Sequence, residues 1–128
     1  MNTAKILVLL GSALIANTAL ASDAATIEKS LRPWQPLEVK KSKDAITVTL
    51  NQDMVTTQIY EAVARMGVCP SVWGAPDSYL KSVKEISILN KNKHSGFVLE
   101  NPKSTCNEMG KATGDKANIT LNANTHMF

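Results

Sequence analysis

Histidine and cysteine, two residue types that often carry out catalysis, are scarce in this sequence. It holds two histidines, His94 and His126, and two cysteines, Cys69 and Cys106. The motifs Gly-x-Ser-x-Gly and His-Glu-x-x-His are absent, and so is a glycine-rich phosphate loop. Neither histidine stands at a telling spacing from a serine or a carboxylate. The sequence therefore contains no candidate catalytic residue, and we predict that the protein is not an enzyme.

The same scarcity argues against metal and redox chemistry. Two distant histidines and two cysteines supply no cluster of zinc ligands, and no Cys-x-x-Cys redox motif is present. Carboxylates are scattered along the chain, so they would act as an acid–base pair only if the fold brought them together. We expect neither a metal nor a cofactor. The alternative function is a small secreted hydrolase that uses scattered carboxylates or a histidine.

Only one long apolar run is present, and it lies close to the N-terminus. Residues 6–16 (ILVLLGSALIA) follow a short start with one positive charge, and Ala19-Leu20-Ala21 has the small-x-small form of a cleavage site. This order predicts a signal peptide over residues 1–21, cut after Ala21. The run is shorter than the ~20 apolar residues that span a bilayer. We expect a periplasmic or secreted protein without a membrane span in the mature chain.

Basic residues outnumber acidic residues only slightly. Cleavage after Ala21 removes only Lys5, which leaves 13 basic against 11 acidic residues. So small an excess does not predict binding to nucleic acid, which an exported protein would rarely meet. The mature chain is long enough for one domain and too short for two.

Two prolines interrupt the first part of the mature chain. Ala24–Leu31 has room for two helical turns, but Pro33 and Pro36 push their predecessors out of the helical conformation. We therefore predict an extended lead-in over residues 22–44. Residues 45–128 are predicted to form the single domain.

A strand pattern and a helix pattern follow one another at the start of this domain. Residues 46–50 (ITVTL) alternate apolar and polar side chains, which predicts a half-buried strand. Asn51 or Asp53 is expected to cap a helix whose apolar residues are four, four and three positions apart, and Gly67 is expected to end it. The apolar stripe consists of Val55, Ile59, Val63 and Met66.

The second half of the domain predicts a hairpin, a helix and an edge strand. Residues 85–89 and 97–99 flank the polar loop 90–96, which is typical of a hairpin. Asn101 and Pro102 predict the start of a helix that carries Cys106 and Met109 on one face, and residues 119–121 predict an edge strand. The order β-α-β-β-α predicts an α+β domain with helices on one face of an antiparallel or mixed sheet.

Cys69 and Cys106 are the only possible disulfide pair. Export to an oxidising compartment favours their oxidation. Closing the 37-residue separation should stabilise the fold by roughly 3–4 kcal/mol in the chain-entropy model.

Two surfaces are candidates for binding. Lys91, Lys93 and His94 crowd the hairpin loop, where they would meet an anionic partner or only keep the loop soluble. Trp73 and Tyr79 would form an aromatic contact patch or cover one end of the core.

Together these features predict a small exported, non-enzymatic binding protein held together by one disulfide. An inhibitor or immunity protein fits its size and export, and an envelope accessory factor fits equally well. The expected partner is another protein or an anionic envelope component. A structural subunit is a third possibility, for which an exposed, unpaired edge strand would be the cue.

Overall fold

The computed structural model describes residues 22–128. The predicted signal peptide and its cleavage site lie outside the described residues. Within residues 22–128, no helix is long and apolar enough to cross a membrane.

Within the described residues, five strands form one mixed sheet, and their order in the sheet is their order in the sequence. The strands β2 and β3 run parallel, whereas every other neighbouring pair is antiparallel. A parallel pair needs a crossover connection, which the helical stretch between β2 and β3 supplies. The strands are β1 (Glu38–Ser42), β2 (Ala45–Thr49), β3 (Glu85–Leu89), β4 (Gly96–Glu100) and β5 (Thr125–Met127).

The helices pack on one face of this sheet, so the predicted α+β class is confirmed. The strand residues that point to the helices are apolar and form the core with them. They include Ile46, Val48, Ile86, Ile88 and Leu99, each at most 1% exposed. The alternate residues on the opposite face include Thr47 and Ser87, which are opposite each other in the β2–β3 register. This division follows the period of two along a strand.

The crossover is one helical stretch in three parts. It consists of α2 (Thr57–Ala62), a π-helix (Val63–Val68, here the π segment) and α3 (Cys69–Gly74). The Thr56 side chain caps its start by accepting a hydrogen bond from the Ile59 N–H at 3.1 Å. The predicted caps, Asn51 or Asp53 and Gly67, are therefore wrong.

The π segment changes which side chains face the core. Its i→i+5 hydrogen bonds add a residue to the turn, so a stripe drawn with α-helical spacing does not stay on one face. Val63 is buried as predicted, but Met66 is 64% exposed and Val68 is buried instead. Gly67 serves close packing, because a Cβ at this position would lie 2.3 Å from Leu31 Cδ2.

Residues 22–44 are not an extended lead-in. Asp23–Ser30 forms α1, and its buried Ile27, with Leu31 just beyond it, belongs to the core. The strand β1 then pairs with β2 along its full length. The effect of Pro33 is only local, because it lies at the start of a short 3₁₀ turn, where its missing N–H costs little.

The hairpin and the second predicted helix are confirmed. β3 covers residues 85–89, and the helix α4 (Pro102–Lys111) carries Cys106 and Met109 on its buried face. Asn101 precedes this helix in a left-handed conformation and makes no side-chain capping bond.

The predicted edge strand at residues 119–121 is wrong. These residues belong to the helix α5 (Lys116–Ala123), which buries Leu121 in the core and leaves Ile119 exposed. A strand preference carried by three residues is weak and is overridden by packing. The edge strand forms after this helix, as β5 paired with β4.

Candidate functional site

A disulfide joins the beginning of α3 to the middle of α4, as the sequence predicted. Cys69 and Cys106 are bonded with their Cα atoms 5.1 Å apart, and both are fully buried. Met109 follows Cys106 by about one turn of α4, and its Sδ lies 3.9 Å from Cys69 Sγ. Three sulfur atoms therefore form the buried junction of these two helices.

Trp73 makes a second connection between the same helices. Its indole Nε1–H donates a hydrogen bond to the backbone carbonyl oxygen of Cys106 at 2.8 Å. The ring packs against Gly110, where a Cβ would lie only 2.7 Å from Nε1. Half of the Trp73 side chain is nevertheless exposed. Because the polar edge of the ring is engaged with α4, the ring is held in a defined position at the surface.

An open groove of about 640 Å³ lies beside Trp73. It is walled by α2, the π segment, α3 and α4, and it extends to the start of α5. Most of its lining is apolar or small, as in typical ligand and peptide sites. The lining residues are Gln58, Glu61, Ala62, Arg65, Met66, Trp73, Met109, Ala112, Gly114 and Ala117. We call this feature the groove.

The polar residues of the groove come from the crossover helix. Gln58 and Glu61 lie on α2, whereas Arg65 lies in the π segment. An Arg65 guanidinium nitrogen donates a hydrogen bond to Asn118 Oδ1 at 3.1 Å, which links the π segment to α5. This contact holds the guanidinium toward α5, while Met66 beside it stays exposed.

The basic residues predicted at the hairpin loop are largely paired within the chain. Lys91 Nζ lies 2.7 Å from Asp53 Oδ1, and Lys93 Nζ lies 2.7 Å from Glu38 Oε1. The hydrogen bond and the positive charge of each lysine hold the pKa of its carboxyl partner below the usual range. The loop is further ordered by the His94 N–H, which donates to Asn90 Oδ1 at 2.9 Å. Pairing leaves less positive charge at this loop for an anionic partner.

The two predicted aromatic residues do not form one patch. Trp73 lines the groove, whereas Tyr79 is 6% exposed and belongs to the core. Burial raises the pKa of Tyr79 to about 12, and the nearby charge of Asp23 acts in the same direction. Tyr79 therefore packs in the core and is not part of an exposed aromatic patch.

Histidine and carboxylate groups meet away from the groove. His126 Nδ1 lies 2.7 Å from Glu100 Oε2, and both side chains are about half exposed. His126 stands opposite Val98 in the β4–β5 register. In the part of the chain that the structure describes, no group of three or more His, Cys, Asp or Glu residues could hold a metal ion.

Sequence reasoning missed most of the groove. Met66 was assigned to the core, and Arg65, Glu61 and Met109 were not connected with binding. Among the lining residues, Trp73 is the one for which the sequence predicts a contact surface. The π segment rotates Met66 out of the core, and the spacing of apolar residues in the sequence does not reveal a π-helix.

Comparisons with protein-family models, with curated proteins and with solved structures give no match for this chain.

Proposed function

We propose that the protein is a small exported, non-enzymatic binding protein and that the groove is the site at which it binds a partner protein. We propose export because residues 1–21 have the pattern of a signal peptide. The Cys69–Cys106 disulfide supports it, because disulfides form and persist in oxidising compartments.

The observation that carries the proposed binding site is the exposure of large apolar side chains at the groove. Met66 is 64% exposed and Trp73 is 50% exposed, although both line a concave surface. Tryptophan, methionine and arginine are enriched at protein–protein contacts, and the groove contains all three types. A partner side chain that fills the groove would remove this apolar area from water.

The frame around the groove supports the same function. The disulfide and the Trp73–Cys106 hydrogen bond fix α3 against α4, and the Arg65–Asn118 hydrogen bond fixes the π segment against α5. A binding surface that is already ordered loses less conformational entropy when its partner arrives. The groove is therefore suited to rigid recognition, as an inhibitor, an immunity protein or an envelope accessory factor requires.

A matched pair of methionine variants tests the proposal. Met54 and Met66 are 65% and 64% exposed, but only Met66 lines the groove. Each tagged variant is produced in cells of the source organism, and the complexes are recovered and compared with wild type. We expect Met66→Ser to lose a partner that Met54→Ser and wild type retain, with all three proteins unfolding at similar urea concentrations. A partner retained equally by both variants would contradict the proposed site.

A further inference from the structure

We propose that the groove receives a basic side chain of the partner, with the positive end against Glu61 and the apolar stem along Trp73 and Met66. This inference rests on the proposed function and adds the chemistry of the occupant.

Glu61 is the only carboxylate among the residues that line the groove, and within residues 22–128 it forms neither an ion pair nor a side-chain hydrogen bond, whereas Arg65 donates to Asn118. Its side chain is half-buried in the groove lining. The ion pairs formed among residues 22–128 involve other carboxylates, namely Asp44, Asp53, Glu38 and Glu100. A carboxylate at an apolar surface is stabilised when a cation approaches it, so Glu61 favours a positively charged ligand.

The expected internal partner of Glu61 is engaged elsewhere. Arg65 follows Glu61 by four residues, a spacing at which glutamate and arginine attract each other on an α-helix. Arg65 lies in the π segment, however, and its guanidinium donates to Asn118 Oδ1. The change from α-helix to π-helix between these residues alters their relative direction. The carboxylate of Glu61 is left open to the groove.

The apolar walls match the rest of a basic side chain. Lysine and arginine carry aliphatic stems that pack on apolar surface while the charged end stays polar. The exposed part of Trp73 offers an indole ring, which also attracts cations through its π-electrons, and Met66 offers a flexible thioether next to Arg65. A purely apolar side chain would fill the same walls and leave Glu61 without a counter-ion.

Three small probes of similar size separate charge from hydrophobicity. n-Butylammonium, 1-butanol and butyrate are each titrated into the full mature chain, and nuclear magnetic resonance follows the Trp73 indole N–H and the Met66 amide. We expect saturable shifts with n-butylammonium at roughly fivefold lower concentration than with 1-butanol, the size of one partly exposed ion pair plus a cation–π contact. Butyrate is expected to bind most weakly.

Two charge-neutralising variants complete the test. Glu61→Gln should remove the preference for n-butylammonium over 1-butanol, whereas Glu108→Gln, an exposed position on α4 outside the groove lining, should keep it. Equal binding of n-butylammonium and 1-butanol to wild type would overturn the basic occupant. So would preferred binding of butyrate, equal effects of the two variants, or no shift with any probe. The proposal that the groove binds a partner is tested separately, and it fails if Met66→Ser and Met54→Ser retain the partner equally.

Discussion

Trp73 and Cys106 are joined by a hydrogen bond from the indole Nε1–H to the backbone carbonyl oxygen at 2.8 Å. Trp73 lies one helical turn after Cys69, whose sulfur is bonded to Cys106. The helix α3 is therefore attached to α4 at two points along the same face, once covalently and once by the indole. The residue at the edge of the groove is also a residue that holds the groove together.

This double role separates two substitutions of Trp73. Trp73→Phe keeps an aromatic ring but loses the donor, so we expect a loss of about 1 kcal/mol in the free energy of unfolding and retained partner binding. Trp73→Ala removes the ring as well and should lose partner binding. Urea unfolding and recovery of the partner complex measure the two effects. Loss of binding in Trp73→Phe with unchanged stability would contradict a mainly apolar role for the exposed ring.

The disulfide should contribute a large share of the stability. We expect the double variant Cys69→Ala/Cys106→Ala to unfold with a free energy lower by about 3–4 kcal/mol, because the unfolded chain regains the entropy of an open 37-residue loop. Urea unfolding with and without reductant checks this. Reductant should destabilise the wild type and leave the double variant unchanged. Equal midpoints for the wild type with and without reductant would contradict the prediction.

Two glycines of the crossover helix should respond oppositely to alanine. A Cβ at Gly67 would lie 2.3 Å from Leu31 Cδ2 in the core, so Gly67→Ala should cost about 1–3 kcal/mol of stability. A Cβ at Gly74 would meet nothing within 4 Å, so Gly74→Ala should be neutral or stabilising by up to about 1 kcal/mol. Urea unfolding of both variants measures the difference. A Gly67→Ala variant as stable as Gly74→Ala would show that Leu31 does not pack against the π segment.

The two tyrosines should make the protein sensitive to alkali. Burial raises the pKa of Tyr60 and of Tyr79 to about 12 in each case, above the value of about 10 in an unfolded chain. The folded state therefore keeps protons that the unfolded state releases. Their stabilising effect is complete below pH ~10 and is lost as the pH rises toward ~12.

The alkaline loss can be assigned by substitution. Tyr79→Phe has one ionisable group fewer, so its urea midpoint should fall less between pH ~9 and ~11 than that of the wild type. Phenolate absorbance should appear together with unfolding. A folded protein whose tyrosines ionise near pH ~10 would contradict the prediction.

Local patterns in the sequence identified the parts of the fold that depend on short-range chemistry. Alternation in residues 46–50 and 85–89 located two strands, and Pro102 located the start of α4. The π segment could not be predicted because the spacing of apolar residues does not show an inserted residue. The predictions that Met66 is buried and that Gly67 ends the helix were therefore wrong. Pro33 and Pro36 predict an extended segment, but burial of Ile27 and Leu31 in the core and pairing of β1 with β2 make residues 22–44 part of the domain.

The proposed binding site was less predictable because it is made of distant parts of the chain. Lys91 and Lys93 are close to His94 in sequence and predict a basic surface, but their charges are paired with Asp53 and Glu38 across the fold. The groove joins α2 to α5, and no single stretch of sequence contains it. Only Trp73, an aromatic residue next to Gly74, gave a local sign of a surface role.

Site-specific photo-crosslinking tests the central claim most directly. A benzophenone amino acid is placed at position 66 in the groove or at position 40, an exposed site on the edge strand β1. The proteins are irradiated in cells of the source organism, and the adducts are identified by mass spectrometry. We expect one discrete protein adduct from position 66, none of the same mass from position 40, and its loss when Trp73→Ala is added. The same adduct from both positions, or an adduct that survives Trp73→Ala, would contradict binding at the groove.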